Sequence, residues 1–400
     1  MITREQVRDE ILQVESPHIL AELPTSFGKT RVAIDLMLKH IHGMVDEFMA
    51  PKILIVIPRL VLIDNWKDEF KKWGCEDYLE FVTFVTYVSF PKMAGDWDVV
   101  IFDEVHHLSE RCRESLMYFD IYHSISLSAT VSRDMRKALK EIFPDLYIYK
   151  VTTKQAITDE VLPDPRVFLI PLSLDALTVN QEIIKNKSQK ITLEIPYSMR
   201  FQYAKVKNRR IVIKCTQRQY YDDMSTMIEW YKRKMYGSEV MKNLFLRKSG
   251  ERLKWLSEQK TAYVKALLDL LRDQRTLTFC NGIPQTAELG KYCINSSKSK
   301  GENAENLGKF NSGRVNHITA CNMLDEGMNL VNCRVGVYAV LNSSERMIKQ
   351  KLGRLLRHSD PIIIIPYYVG TRDEELVNKM MEDYNPELVT KITSLTQLKL

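Results

Sequence analysis

Short apolar runs alternate with amphipathic stretches over the first 150 residues of the chain. The runs lie at residues 52–58 (KILIVIP), 98–103 (DVVIFD) and 125–128. Apolar runs of this length are typical of strands that are buried on both faces of a parallel sheet. Residues 31–41 and 61–73 carry apolar side chains at helical spacing instead. The alternation predicts a doubly wound α/β lobe over residues 1–150.

The same rhythm returns in the last third of the chain. Runs with the character of buried strands lie at residues 275–280, 315–320, 334–341 and 362–369. Before them, residues 176–275 are rich in charge and have long helical patterns at 220–235 and 253–271. We therefore expect a second α/β lobe over residues 151–400, with a mostly helical insertion around 176–275.

Composition narrows the class of protein. Hydrophobic residues make up 45% of the 400-residue chain, and 57 basic residues against 51 acidic ones leave a net charge of +6. These values exclude a disordered, charge-repelled chain and a histone-like polycation. A nucleic-acid partner would therefore have to bind through a local basic patch.

Targeting and cysteine patterns favour a cytosolic protein. No apolar run reaches the roughly 18 residues of a membrane-spanning helix, so no membrane partner is expected. The N-terminal sequence, MITREQVRDEIL, has no apolar signal-peptide core. The seven cysteines form no CxxC pair. We interpret them as reduced thiols.

The first candidate for chemistry is the segment LPTSFGKT at residues 23–30. It precedes a helical pattern, so Gly28, Lys29 and Thr30 stand at a helix N-terminus, where backbone N–H groups bind phosphate. A lysine at this place reaches the terminal phosphates, and a threonine hydroxyl ligates Mg²⁺. Leu23 stands where the full phosphate-loop pattern has its first glycine. A chance GKT at an ordinary helix start is the alternative.

A second candidate, the sequence DEVH at residues 103–106, follows a predicted buried strand. Its acids therefore stand at the carboxyl edge, where open α/β sheets bind ligands. Asp103 is placed to hold Mg²⁺, and Glu104 to activate an attacking water. A surface acidic turn is the alternative for an isolated Asp-Glu pair, but a GKT followed by a strand-terminal DExH is less accidental.

Two further segments complete the set. Ser128, Ala129 and Thr130 follow another predicted strand, and QKLGRLLR at residues 350–357 places Arg354 and Arg357 on one face of a predicted helix. Guanidinium groups bind a γ-phosphate or carboxylates. Taken alone, the basic helix is more typical of a solvated face.

In this order the four segments resemble motifs I, II, III and VI of superfamily 2 helicases and translocases of the DExH type. The resemblance covers residues 1–370 and is strongest to phage recombination helicases and the motor subunits of restriction enzymes. Other segments are similar to further motifs: 57–59 with Trp66 to motif Ia, 85–87 to Ib, 278–281 to IV and 322–329 to V.

The resemblance implies two tandem RecA-like lobes with parallel sheets that close around ATP and Mg²⁺. It assigns hydrolysis to Lys29, Asp103, Glu104 and the arginine fingers Arg354 and Arg357, and it assigns Mg²⁺ to Thr30 and Asp103. Three more sets follow from the motifs. They are the nucleotide contacts Gln6, Ser26, Phe27, Gly28, Lys29, Thr30, Gly327 and Asn329, the nucleic-acid contacts Arg59, Thr86, Tyr87, Asn281 and Glu326, and the coupling residues His106, Ser128, Ala129, Thr130 and Gln350.

The chain departs from the family pattern in three motifs. Ser26 and Phe27 replace the commoner pair in motif I, Asp325 replaces a small hydroxyl residue in motif V, and Lys351 stands where motif VI often has arginine. None of these changes removes a residue that hydrolysis needs.

A basic segment at residues 198–221 is a further candidate for nucleic-acid contact. It holds seven Lys or Arg and no acid, with four aromatic side chains interleaved. Cations on phosphates and rings on bases are the pairing expected for single strands. The alternative is a half-buried edge strand whose lysines discourage pairing with another chain.

We expect an ATP-dependent motor that moves along or unwinds nucleic acid, with DNA favoured over RNA and branched DNA as one candidate substrate. A duplex-DNA translocase in a larger complex, an RNA helicase and, in another class, an ATP-switched binding module are the alternatives. The chain is nearly a bare two-lobe motor, which favours dependence on a protein partner. We expect a monomer in a bacterial or phage-infected cytosol.

Overall fold

The computed structural model describes residues 2–42, 50–174, 178–184, 192–203, 210–321, 330–341, 358–382 and 384–398. These residues form two large parallel sheets and one small mixed sheet. The predicted α/β fold class is thereby confirmed.

The first large sheet is built from the N-terminal part of the chain. Its elements are α1 (Arg4–Leu12), β1 (His18–Glu22), α2 (Lys29–Ile41), β2 (Ile53–Ile57), α3 (Leu62–Lys72), β3 (Val82–Thr86), β4 (Gly95–Phe102), α4 (Glu110–Ser115), β5 (Phe119–Ser128), α5 (Arg133–Ile142), β6 (Tyr147–Lys150) and α6 (Thr153–Thr158). The six strands are all parallel, in the order β3-β2-β4-β5-β1-β6.

Burial on both faces explains the unbroken apolar runs of this sheet. Every residue of β2 is buried. Ile53, Ile55 and Ile57 pack in one hydrophobic cluster, and Leu54 and Val56 pack in another. Because side chains alternate along a strand, the two clusters lie on opposite faces of the sheet.

The strand order brings three of the predicted motifs to one edge. β5 pairs with both β4 and β1, so the carboxyl ends of these three strands lie side by side. The chain leaves these ends through residues 23–28, 103–104 and 129–132. This is the edge at which open α/β sheets place their ligand sites.

The middle of the chain follows β7 (Arg166–Leu172), which belongs to the second large sheet. This middle part of the chain comprises β8 (Thr178–Ile184), β9 (Thr192–Pro196), α7 (Arg200–Tyr203), β10 (Arg210–Thr216), α8 (Gln217–Lys234), α9 (Glu239–Gln259) and α10 (Thr261–Leu270). The predicted helices fill its second half. Its first half contains a three-stranded sheet that the sequence reasoning missed.

The basic segment provides the central strand of that small sheet. β10 lies between β8 and β9, antiparallel to β8 and parallel to β9. Ile211, Ile213 and Cys215 are buried, and Lys214 between them is exposed. The strand is half-buried, as the structural alternative supposed, but the expectation that it is an edge strand is wrong.

The rest of the chain completes the second large sheet. Its elements are β11 (Thr276–Phe279), α11 (Ile283–Leu289), β12 (Cys293–Ile294), α12 (Lys300–Asn311), β13 (His317–Ala320), β14 (Val335–Tyr338), β15 (Ile362–Tyr368), α13 (Arg372–Met381) and β16 (Val389–Lys391). The seven strands run parallel in the order β12-β13-β11-β14-β15-β7-β16. All four predicted strand runs are present, and the domain limits 1–150 and 151–400 stay a prediction.

Within the part of the chain that the structure describes, no helix has the length and apolar character needed to cross a membrane.

Candidate active site

The phosphate-loop candidate forms a tight turn between β1 and α2. Gly28 caps α2 with φ of 103°, a conformation that favours glycine, and Ser26 adopts φ of 67°. Phe27 is buried, and its N–H donates to the carbonyl of Pro24 over 3.2 Å. The first N–H groups of a helix have no partner within the helix, so this turn presents donors at the start of α2, where Lys29 and Thr30 lie.

Lys29 and Glu104 lie together at this edge. The Lys29 Nζ is 3.4 Å from Oε1 of Glu104, and both side chains are largely buried. Glu104 also has a left-handed backbone, with φ of 51°. Non-glycine residues adopt this conformation rarely, and such strain is concentrated at functional sites.

A hydrogen-bonded group joins motif II to motif III. His106 Nδ1 is 2.9 Å from the hydroxyl of Ser128, and that hydroxyl is 3.2 Å from Oε2 of Glu104. Ser128 is fully buried, and its oxygen also accepts from the Thr130 N–H. The structure therefore brings Glu104 together with three predicted coupling residues, His106, Ser128 and Thr130.

The charge state of Glu104 follows from these neighbours. Burial alone would raise its pKa, but the charges of Lys29 and His106, with hydrogen bonds donated to the carboxylate, outweigh burial. The net effect holds the pKa of Glu104 below its ordinary value. Glu104 is therefore an ionised carboxylate at neutral pH.

Neighbouring residues hold Asp103 through both its backbone and its side chain. Its N–H donates to the carbonyl of Val56 over 2.9 Å, and its carbonyl accepts from the Tyr87 hydroxyl over 2.8 Å. The indole of Trp66 donates to its Oδ2 over 3.1 Å. Trp66 is a core residue, and its hydrogen bond to Asp103 could not be read from the sequence.

Gln6 lies on α1, where its side chain completes a capping box. Its Oε1 accepts from the Thr3 N–H over 2.9 Å, and the Thr3 hydroxyl accepts from the Gln6 N–H. Val7 and Ile11 of the same helix are buried in the cluster that contains α2. The helix that carries the predicted nucleotide contact Gln6 is therefore fixed beside the phosphate loop.

The predicted nucleic-acid contacts have different environments. Arg59 is exposed after β2, and Thr86 is half-buried at the end of β3. The side chain of Tyr87 is buried, and its hydroxyl donates to the carbonyl of Asp103. A nucleic-acid strand at this place would therefore meet the Tyr87 backbone rather than its ring. Asn281 follows β11, and its amide donates to the carbonyl of Lys254 over 3.4 Å.

Several predicted residues lie outside the described residues. They are Glu326, Gly327 and Asn329 of the motif V segment and Gln350, Arg354 and Arg357 of the motif VI segment.

The basic segment makes contacts within the protein. Arg200 pairs with Asp223 at 3.3 Å, and Lys214 pairs with Glu194 at 2.8 Å. Arg218 donates to the carbonyls of residues 369 and 370, which follow β15. These three cations link parts of the second half of the chain.

Sequence reasoning missed an ion pair beside the phosphate loop. Glu22, the last residue of β1, is 2% exposed, and both of its oxygens accept from Arg136 on α5. A glutamate at the end of an apolar run was the available signal, but its partner lies 114 positions away.

The donor set fits Mg²⁺-ATP. Mg²⁺ takes oxygen ligands, and the Asp103 carboxylate and Thr30 hydroxyl are such groups at the same sheet edge. The start of α2, with Lys29, suits the phosphates. In the described ranges, no group of at least three His, Cys, Asp or Glu side chains is arranged to hold a metal ion. The neighbouring side chains of His106, His107 and Cys112 therefore do not form a second metal site.

Two family models match the chain in the order that the motifs require. The model of the type III restriction enzyme, res subunit, matches residues 4–89, and the helicase conserved C-terminal domain matches residues 259–359. Together the two matches confirm the predicted resemblance to the superfamily 2 helicases and translocases, a group that hydrolyses ATP to act on nucleic acid.

Known proteins resemble the chain over most of its length. It is 24% identical over 383 residues to the DNA 3'-5' translocase XPB2 of Sulfurisphaera tokodaii, covering 90% of this chain and 80% of the relative. The structure of S. cerevisiae Dbp5 bound to RNA and ADP BeF3 matches with a TM-score of 0.57 at 11% identity, over 97% of this chain and 89% of that one.

A putative HsdR subunit of a type I restriction enzyme from Vibrio vulnificus YJ016 matches with a TM-score of 0.58 at 18% identity, over 98% of this chain and 68% of that one. At these identities the solved structures establish the fold, and they confirm the prediction of tandem RecA-like lobes.

Proposed function

We propose that this protein is a DNA motor that binds Mg²⁺-ATP at the edge of its first large sheet and uses hydrolysis to move along DNA. The observation that carries the proposal is the 3.4 Å contact between Lys29 and Glu104 at the start of α2. This contact supports the proposal because it pairs a lysine suited to bind phosphate with an ionised carboxylate suited to act as a base.

The roles of the residues follow from their chemistry. Lys29 and the N–H groups at the start of α2 would bind the phosphates, while Thr30 and Asp103 would hold Mg²⁺, which would neutralise phosphate charge. Glu104 accepts a proton from the attacking water, and His106 and Ser128 hold its carboxylate. Arg354 and Arg357 would supply positive charge from the second lobe when the lobes close.

DNA is favoured over RNA as the track. The XPB2 relative is a DNA translocase, and the restriction-enzyme family match covers the phosphate-loop part of the chain. The resemblance to motors of the DExH type from phages and restriction enzymes supports the same choice. Branched DNA of recombination or repair is the specific substrate that we propose to test first.

The test is steady-state ATPase activity of the purified chain at one stated low salt concentration, because salt controls nucleic-acid affinity. Single-stranded DNA, blunt duplex, branched DNA and RNA are compared with no nucleic acid. We expect the strongest stimulation with branched DNA. Stimulation by RNA alone would reject the DNA proposal, and no stimulation at all would favour an ATP-switched binding module or a missing partner.

Two substitutions test the residue roles. Lys29→Ala and Glu104→Gln should abolish turnover, while Glu141→Gln, an exposed carboxylate on α5, should retain it. Near-normal ATPase activity in either of the first two variants would reject the assignment of the site.

Translocation without strand separation is a second candidate, and the name of the XPB2 relative favours it. Displacement of a third strand from a triplex reports movement, whereas release of a labelled strand from a fork reports unwinding. Triplex displacement without strand release would establish the translocase, and strand release would establish the helicase.

We further propose a monomer that works with a protein partner in a bacterial or phage-infected cytosol. The seven cysteines are buried free thiols, which is compatible with a reducing compartment. Sedimentation of the purified chain tests the first point.

A further inference from the structure

Trp66 contacts the carboxylate that we assign to Mg²⁺. Its Nε1–H donates to Oδ2 of Asp103 over 3.1 Å. The side chain is 2% exposed, and its ring lies 6.4 Å from that of Phe70 in the same helix. Because an indole has one N–H donor and no acceptor, this ring can hold an oxygen only as a donor.

The remainder of Asp103 is fixed by other elements. Its N–H is bonded to β2 through Val56, and its carbonyl is bonded to Tyr87, which follows β3. The backbone position is therefore set by the sheet, and the rotation of the carboxylate about its side-chain bonds is restrained by α3 through Trp66. A change at Trp66 should alter the direction of the carboxylate without moving the strand that carries it.

We propose that Trp66 is a positioning residue whose indole N–H orients the Asp103 carboxylate for the Mg²⁺ of the bound nucleotide. The inference rests on the proposed function, because it takes Asp103 to be a Mg²⁺ ligand. Hydrogen-bond partners of metal ligands commonly have this role, and their loss costs about 10–100-fold in metal affinity or activity.

A matched pair of substitutions isolates the N–H group. Trp66→Phe keeps an aromatic ring and removes the donor to Asp103. Trp97→Phe makes the same chemical change in the same lobe, where the lost bond goes to the carbonyl of Met93 at 2.9 Å. Thermal unfolding of both variants records the cost of the substitution to folding.

The main readout is equilibrium binding of a fluorescent ADP analogue, measured with Mg²⁺ and with EDTA. The ratio of the two affinities reports the Mg²⁺ contribution and needs no turnover. We expect this ratio to fall at least about 10-fold in Trp66→Phe, with affinity in EDTA unchanged, and to stay at the parent value in Trp97→Phe. A parent-like ratio in folded Trp66→Phe overturns the proposal.

A second measurement covers the case in which Trp66→Phe does not fold. The indole N–H signals of the ¹⁵N-labelled parent are assigned with Phe variants of the other four tryptophans, since the chain has five. The Trp66 signal should shift with ADP plus Mg²⁺ and stay in place with ADP in EDTA. An unshifted signal overturns the proposal.

The parent protein separates the two levels of inference. If the parent shows no Mg²⁺-dependent nucleotide binding, the proposed function and the role of Trp66 fail together. If the parent shows it and the Trp66 experiments show no change, only the role of Trp66 fails.

Discussion

Removal of Arg136 should destabilise the first lobe by an amount that the structure allows us to estimate. Its guanidinium donates to both oxygens of Glu22, with 2.8 Å between Nη2 and Oε2. At this separation two unit charges attract by roughly 6 kcal/mol at an effective dielectric of about 20. The desolvation of Glu22, which is 2% exposed, offsets much of that attraction.

Arg136→Ala leaves the charge of Glu22 buried and unpaired. Breaking a buried pair in this way costs about 3–5 kcal/mol. Because the Arg136 side chain is 33% exposed, water reaches one side of the pair, and we expect the lower end, about 3 kcal/mol. Arg136→Lys keeps the charge and loses the two-pronged geometry, so its cost should be smaller.

The assay is urea unfolding followed by tryptophan fluorescence. A double variant with Arg136→Ala and Glu22→Gln should be more stable than Arg136→Ala alone, since a neutral amide is cheaper to bury than an unpaired carboxylate. Lys137→Ala on the same helix, 80% exposed, should change the free energy of unfolding by at most about 0.5 kcal/mol. A loss below about 1 kcal/mol for Arg136→Ala, or a double variant less stable than the single one, would refute the reasoning.

Three further predictions concern the site and the second lobe. Glu104→Gln should retain nucleotide binding while its hydrolysis rate falls by at least about 100-fold, and single-turnover kinetics beside a binding titration checks this. Lys260 Nζ lies 2.8 Å from Oδ2 of Asp373, and the two side chains are 0% and 2% exposed. Lys260→Met should therefore lower the free energy of unfolding in urea by about 3–5 kcal/mol, because it leaves the Asp373 carboxylate buried without its cation. Stability should fall as pH drops below about 6.5, because burial lowers the pKa of His317 to about 4 and the unfolded chain binds that proton first. The loss of unfolding free energy should approach roughly 1–2 kcal/mol at pH 5 and should be smaller in His317→Gln. If the free energy of unfolding of that variant falls with pH as steeply as in the parent, the prediction is wrong.

The order of strands and motifs along the chain was predictable because each is marked by a local pattern of apolar and polar residues. The run at residues 52–58 is continuous and apolar because β2 is buried on both faces. The strand at residues 82–86 escaped recognition as an element, since its burial is only partial. The small sheet around β10 was missed because its alternating basic and apolar residues resemble both a binding segment and an edge strand.

Site chemistry was predictable only where it follows the strand ends. The predicted site residues that lie next to recognisable strands or helices are Lys29, Asp103, Glu104 and Ser128. Because the strands of a parallel sheet have their carboxyl ends at one edge, these residues lie near one another. Gln6 was predicted as a nucleotide contact from the family resemblance, and the structure adds that its side chain caps α1. A capping box is itself a local pattern, Thr3 followed by Gln6, that the sequence displays.

The sequence by itself determined the two α/β lobes, the order of the motifs and the residue types of an ATP site, because hydrophobic period and turn chemistry are properties of neighbouring residues. Only the tertiary structure decided the contacts of Trp66 and Tyr87 with Asp103 and of Arg136 with Glu22. These contacts join residues far apart in the chain, and no local pattern records which distant donor meets a given carboxylate. Their geometry depends on how helices pack against the finished sheet.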